Sequence, residues 1–307
     1  MNESTDNFKN TGLALHVLVE CLDELDFLAQ NGRAQPGSVA ESEQSQDLTF
    51  ARSSIPWWPT PVTTTYDAAI RCLALSHDHL IGLRDLFRVE TAGTASVLTQ
   101  CRAVVEASGG ARWVLSGSPQ AVGARVGRGL ATCEWALKYS ARVDALVQSD
   151  ASSSRHAGDR VCQRISALQR LGHLLGLAEW RTSGQRRVTR WLEPRPSSTD
   201  LVRASLETPI GRMHGIVYPL LSESAHGNPD LVSRLIGYPM WIENEANYFA
   251  GHRSGEHRQV SALALLAGHA FVDALGVAIE LTQGVDSNDH HKLSSCWVGV
   301  QDQLLAA

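Results

Sequence analysis

Lysine is almost missing from this chain. Of its 27 basic residues only Lys9, Lys138 and Lys292 are lysines, so arginine carries nearly all the positive charge. The 32 acidic residues leave a formal net charge of −5, which excludes a protein whose whole surface attracts nucleic acid. Cysteine is sparse: Cys21, Cys72, Cys101, Cys133, Cys162 and Cys296 stand singly, never as C-x-x-C, which excludes a zinc ribbon or a thioredoxin-type centre. Most of them fall in apolar helical patterns and read as small buried hydrophobes. Also missing are G-x-x-x-x-G-K-[ST], a G-x-G-x-x-G after a strand, G-x-S-x-G, H-E-x-x-H and an aspartate-rich prenyl-diphosphate motif. Glu223-Ser-Ala-His226 has the spacing of a carboxylate di-metal bundle, but no second pair joins it. No cofactor and no metal are therefore expected. There is no internal repeat and no strand-like alternation longer than four residues. The first ten residues, MNESTDNFKN, hold no signal-peptide core, which points to the cytoplasm and reduced thiols.

What the chain does hold is one long oily stretch, Gln259 to Ile279, with Asp273 as its single formal charge. A helix apolar all round is normally the buried centre of a bundle. The expected fold is therefore all-α, a helical bundle around a central apolar helix over 259–280. His269, Asp273 and Glu280 fall within about 40° of one another on that helix and form a narrow polar stripe. Three readings stand: a water-facing edge, a paired core cluster, or a ligand site. A membrane span is not expected, because Asp273 and His269 would sit near its middle and no second comparable stretch exists.

Four segments follow from composition and periodicity. Residues 1–30 hold an N-terminal helix, with Leu15, Leu18, Leu22 and Leu25 on one face and His16, Glu20, Asp23 and Glu24 on the other. Residues 31–65 read as a Pro/Ser/Thr-rich loop whose Trp57–Trp58 dock it onto the bundle. Residues 66–285 form the bundle domain. Its helices are expected from Asp67, as N-cap, to about Val89, then over 95–115, 122–147 and 160–178, with the serines of 149–154 as a break. Within it, residues 180–198 read as a loop with five arginines and two tryptophans, in which Arg186, Arg187 and Arg190 are candidate anion-binding residues. Thr199 or Asp200 caps a short helix through Leu206. Residues 286–307 are a C-terminal tail with an exposed His290–His291 pair.

Two further patterns carry polar groups at helical spacing. Arg102 and Glu106 are four apart on a face of Val, Ala and Leu. Tyr218-Pro-Leu-Leu-Ser222-Glu-Ser-Ala-His226-Gly places Ser222 and His226 four apart as well. In this order the two patterns resemble a group of bacterial helical proteins of unknown function, in which an R-x-x-x-E helix precedes a Y-x-x-L-S-x-x-x-H element. Pro196-Ser-Ser-Thr-Asp-Leu-Val202 looks like the actinobacterial members. The resemblance covers roughly residues 65–275. It implies a design similar to HEPN-like helical bundles, many of which act on RNA in toxin and defence systems. The usual HEPN signature, Arg then His after four to six residues, occurs only at Arg71 and His77, no more often than chance allows, and gives no support to a nuclease.

As chemistry, Glu106, His226 and Ser222 supply an acid, a base and a hydroxyl, and they are the candidate catalytic set. Arg102, Tyr218, His269, Asp273 and Glu280 are the candidate binding residues. As structure, the same groups lock two helices in register. The first functional expectation is a HEPN-like bundle that binds RNA or a protein partner in a defence or regulatory role. The alternative is a small-molecule enzyme with a Glu/His/Arg site in the bundle core. A homodimer is a third partnership the sequence leaves open. A shared cavity between the two polar clusters favours the enzyme, and closed, paired junctions favour the scaffold.

Overall fold

The computed structural model describes residues 3–30, 32–47, 60–89, 94–117, 121–147, 151–183, 186–210 and 253–305, with 217, 219, 221 and 222. Among the described residues the fold is all-α apart from one small hairpin. The helices are α1 (Glu3–Asp23), α2 (Asp26–Ala29), α3 (Val39–Ser45), α4 (Pro61–Arg88), α5 (Thr94–Leu115), α6 (Val122–Val147) and α7 (Ala151–Leu174). Strands β1 (Ala178–Ser183) and β2 (Arg186–Trp191) follow, then α8 (Ser198–Ile210), α9 (Arg253–Gln283) and α10 (Asn288–Leu305). The chain divides into two compact units, one of Met1–Arg33, Arg71–Arg112 and Ser197–Ala307, the other of Ala34–Ile70 and Trp113–Pro196.

In the first unit α9 packs against α1, α8 and α10. The expected core helix is present, but it is not enclosed on all sides. Ala264, Ala267, Phe271, Ala274, Leu275, Ala278 and Ile279 are buried, while Leu265, Leu266, Val272 and Val277 are half-buried. By length and mean hydropathy, 1.9 over Gln259–Gln283, this helix is apolar enough to cross a bilayer, yet 56% of its most apolar window lies inside the protein, as in a core helix. Close approach explains one glycine. A Cβ on Gly109 of α5 would stand 2.6 Å from Ser205 Oγ and 2.7 Å from the Leu201 carbonyl of α8, so the two helices meet backbone to backbone there. The residues expected to form a tail are instead the ordered helix α10. Its Asp289, 2% exposed, accepts from the backbone N–H groups of Asp26 and Phe27 (3.2 and 2.6 Å) and from Gln283 Nε2 (2.9 Å). That carboxylate caps α2 from more than 260 residues away, and the histidines 290 and 291 lie on its helix.

In the second unit the expected 31–65 loop contains α3 and the start of α4. Ser38 caps α3, its Oγ accepting from the Glu41 N–H at 3.1 Å. The helix starting at Pro61 begins six residues before Asp67, which is not its cap. Pro61 has no N–H to satisfy, and the next two donors, Val62 and Thr63, give theirs to the buried carboxylate of Asp47 (2.7 and 3.1 Å). What docks this segment is Glu43 of α3, 3% exposed, paired with Arg125 of α6 and accepting from the Tyr66 hydroxyl at 2.9 Å. Burial pulls the Arg125 guanidinium down from its ordinary value and pushes the Tyr66 phenol up. Trp57 and Trp58 lie outside the described residues. The serines at 152–154 do not break a helix; they belong to the first turn of α7, which ends at Leu174 rather than 178.

Candidate nucleic-acid interface

The arginine-rich segment expected as a loop is an antiparallel hairpin. Glu179 pairs with Arg190, Arg181 with Val188 and Trp180 with Thr189. Cross-strand partners share a face, so Glu179, Arg181, Val188 and Arg190 lie on one side and Ala178, Trp180, Thr189 and Trp191 on the other. The second side is covered by helices at Trp191, while Trp180 is 44% exposed. Trp191 is 6% exposed, and its indole N–H donates to the carboxylate of Glu134 on α6. Glu134 also accepts from Gln169 Nε2 (2.5 Å) and pairs with Lys138 (2.7 Å). His173 of α7 stacks on Trp180 with ring centroids 3.9 Å apart, and its ring nitrogens contact the Ala178 carbonyl at 3.0 Å and Thr189 Oγ1 at 3.2 Å. Gly176, at φ 68°, makes the left-handed turn that brings the chain from α7 into β1.

The other side of the hairpin faces outward. Arg181 and Arg190 are 57% and 47% exposed and share the exposed carboxylate of Glu179, at 2.8 and 3.6 Å. The second acid of the segment, Glu193, is held at 3.4 Å by the buried Arg128. Two acids stand against five arginines between 178 and 195, in a chain whose net charge is −5. The positive excess is thus local. An exposed ion pair of this kind is worth little, so a phosphate can compete for both guanidiniums. Arg190 is where the sequence reading placed a candidate anion contact. Arg186 and Arg187 lie on β2, and their side chains are outside the described residues.

No family model, curated protein or solved structure gives a significant match to this chain.

The remaining candidates separate into pairs. Arg102 Nε donates to Glu106 Oε1 at 2.6 Å, with side chains 18% and 26% exposed, so the pair is half-buried rather than sealed. Asp273 is held by Arg112 of α5 at 2.8 Å, and Arg112 also donates to the Ala204 carbonyl at 3.0 Å. His269, one turn before Asp273, lies 5.1 Å from the Trp297 ring. Glu280, the third member of the stripe, is exposed. The stripe is thus part paired junction and part wet edge. Ser222 is helical and half-buried, whereas Tyr218 and His226 lie outside the described residues, and with them the expected Glu106–His226 bond. His16 and Glu20 meet at 3.1 Å on the acidic face of α1. The cysteines depart from the expected burial: Cys101 and Cys296 are buried, Cys21, Cys72 and Cys133 are half-buried, and Cys162 is exposed.

Two predictions arise from these pairs. Glu106→Ala is expected to lower stability by about 1 kcal/mol, because the exposed fraction of the pair screens most of its interaction. Glu20→Ala on the wet face is expected to stay within about 0.5 kcal/mol. Chemical denaturation of both variants checks the order. The second concerns acid. Burial pulls His269 below its ordinary value, opposed by Asp273 and aided by Arg112. Burial likewise lowers His77, opposed by Asp23 and Asp78, and its ring packs on Phe271 at 6.0 Å. Both folded values lie below the unfolded value of about 6.5, so the unfolded chain takes up more protons. Their contribution is full above that value and is lost as pH falls below it. Melting temperature should drop on acidification through this window, and less steeply in His77→Gln/His269→Gln.

Proposed function

We propose that the chain is a HEPN-like helical-bundle protein that binds RNA, in a regulatory or defence role, through the outward face of its β1–β2 hairpin. The observation that carries this reading is the exposed pair Arg181 and Arg190, fixed on a two-stranded ribbon whose other face is pinned by Trp180 and Trp191. A flexible arginine loop loses conformational freedom on binding, whereas a pinned ribbon presents its charges already spaced. Phosphate contacts of this type supply affinity without reading sequence. The HEPN-like relation rests on the Arg102/Glu106 and Tyr218/Ser222/His226 patterns. A cytoplasmic setting is proposed with it, in keeping with six free thiols.

The alternative of a small-molecule enzyme in the bundle core is less well supported. Glu106 is committed to Arg102, and Asp273 to Arg112, the pairing a structural junction needs. Fluorescence anisotropy with a labelled single-stranded RNA tests the proposal. Arg181→Glu/Arg190→Glu is expected to weaken binding by more than about tenfold, since it replaces two attractions by two repulsions. Unchanged affinity in that variant would remove the hairpin from the interface.

A further inference from the structure

We propose that the outer face of α6 beside the hairpin is a stacking platform for unpaired bases, so that the RNA taken by the protein is single-stranded. The inference rests on the RNA-binding reading above and adds a second contact surface to it. Trp135, Lys138, Tyr139 and Arg142 recur at three- and four-residue spacing and occupy one side of the helix. All four are exposed. Trp135 is 47% exposed and Tyr139 59%, and their rings lie nearly parallel, 17° apart, with centroids at 5.8 Å. The guanidinium carbon of Arg195, just beyond β2, sits 3.9 Å over the Trp135 ring.

About half of each ring stays in water although Arg195 packs on Trp135 and Tyr139 lies beside it, so a base that stacks here joins or displaces the Arg195 guanidinium. Their near-parallel setting beside Lys138, Arg142 and Arg195 matches what an unpaired nucleotide offers, a flat π face joined to a phosphate. A duplex has no free base faces to give, and an acidic peptide would use the cations without needing the rings. The platform adjoins the hairpin through a single carboxylate. Glu134 holds Trp191 of β2 from the residue preceding Trp135. On this reading one strand lays its phosphates on Arg181 and Arg190, on the hairpin face opposite Trp191, and its bases on Trp135 and Tyr139.

The test is binding of the full chain to oligoadenylate, to the same length of duplex RNA and to polyglutamate. Trp135→Ala and Tyr139→Ala are each expected to weaken oligoadenylate binding about tenfold, the loss of one stacked base, without changing the salt dependence. Tyr139→Phe should keep the affinity, because the ring remains. Wild-type affinity in both alanine variants, or equal affinity for duplex or polyglutamate, overturns the platform. If the alanine variants bind normally while Arg181→Glu/Arg190→Glu does not, the platform falls and the hairpin reading stands. If the wild type binds no RNA, both fall.

Discussion

Replacing Glu43 by alanine is expected to be among the most damaging single changes to the second unit, costing about 3–5 kcal/mol. Glu43 and Arg125 have side chains 4% and 1% exposed, so neither charge has water to fall back on. Two Arg125 nitrogens reach the Glu43 carboxylate, and the Tyr66 hydroxyl donates to the same oxygen as Arg125 Nε. Truncation leaves a buried guanidinium and a buried hydroxyl without their acceptor. The pair itself is a poor source of net stability, because desolvating two ions offsets most of their attraction. A double change to apolar residues of similar volume is therefore expected to be milder than Glu43→Ala alone. Urea unfolding of the single and double variants checks this, and a double variant as unstable as the single would contradict it.

Glu134→Ala is expected to be nearly as costly, on the order of 2–3 kcal/mol, and to act on the hairpin in particular. Trp191 would keep its indole N–H in a site 6% exposed with no carboxylate to receive it, and Gln169 would lose its acceptor as well. Glu134→Gln keeps an acceptor for one donor and should recover part of the loss. Because Trp191 anchors one face of β2, RNA affinity should fall in Glu134→Ala although the residue is buried. Hydrogen exchange of the amides between Ala178 and Trp191 follows the effect directly. Protection unchanged from wild type would show that the carboxylate does not hold the ribbon.

Periodicity showed the helices that depend on their own residues. The boundaries expected for α5 and α6 agree with the structure to within a residue, because their apolar repeats run the whole length. The start of α4 was hidden because its cap, Asp47, comes from an earlier segment, and no local signal at Pro61 names it. The order of α10 was hidden for the same reason, since Asp289 works on α2. The hairpin was legible and missed. Trp180, Thr182, Val188, Thr189 and Trp191 are strand formers, and the Gly-Gln dipeptide at 184–185 is a sequence signal for a tight hairpin. Four interleaved arginines, Arg181, Arg186, Arg187 and Arg190, masked that pattern. The aromatic and cationic stripe of α6 also stood at helical spacing, but exposure, which spacing does not give, is what sets it apart from a core face. At Arg102 and Glu106 the sequence showed the pair but not its half-open setting.

The most direct test of RNA binding through the hairpin is the salt dependence of single-stranded RNA affinity, compared between wild type and Arg181→Ala/Arg190→Ala. Each phosphate contact to a single strand contributes about 0.7 to the slope of log affinity against log salt concentration. The account predicts a wild-type affinity that falls steeply with salt and a double-variant slope shallower by about 1.4. Equal slopes for the two proteins would contradict it.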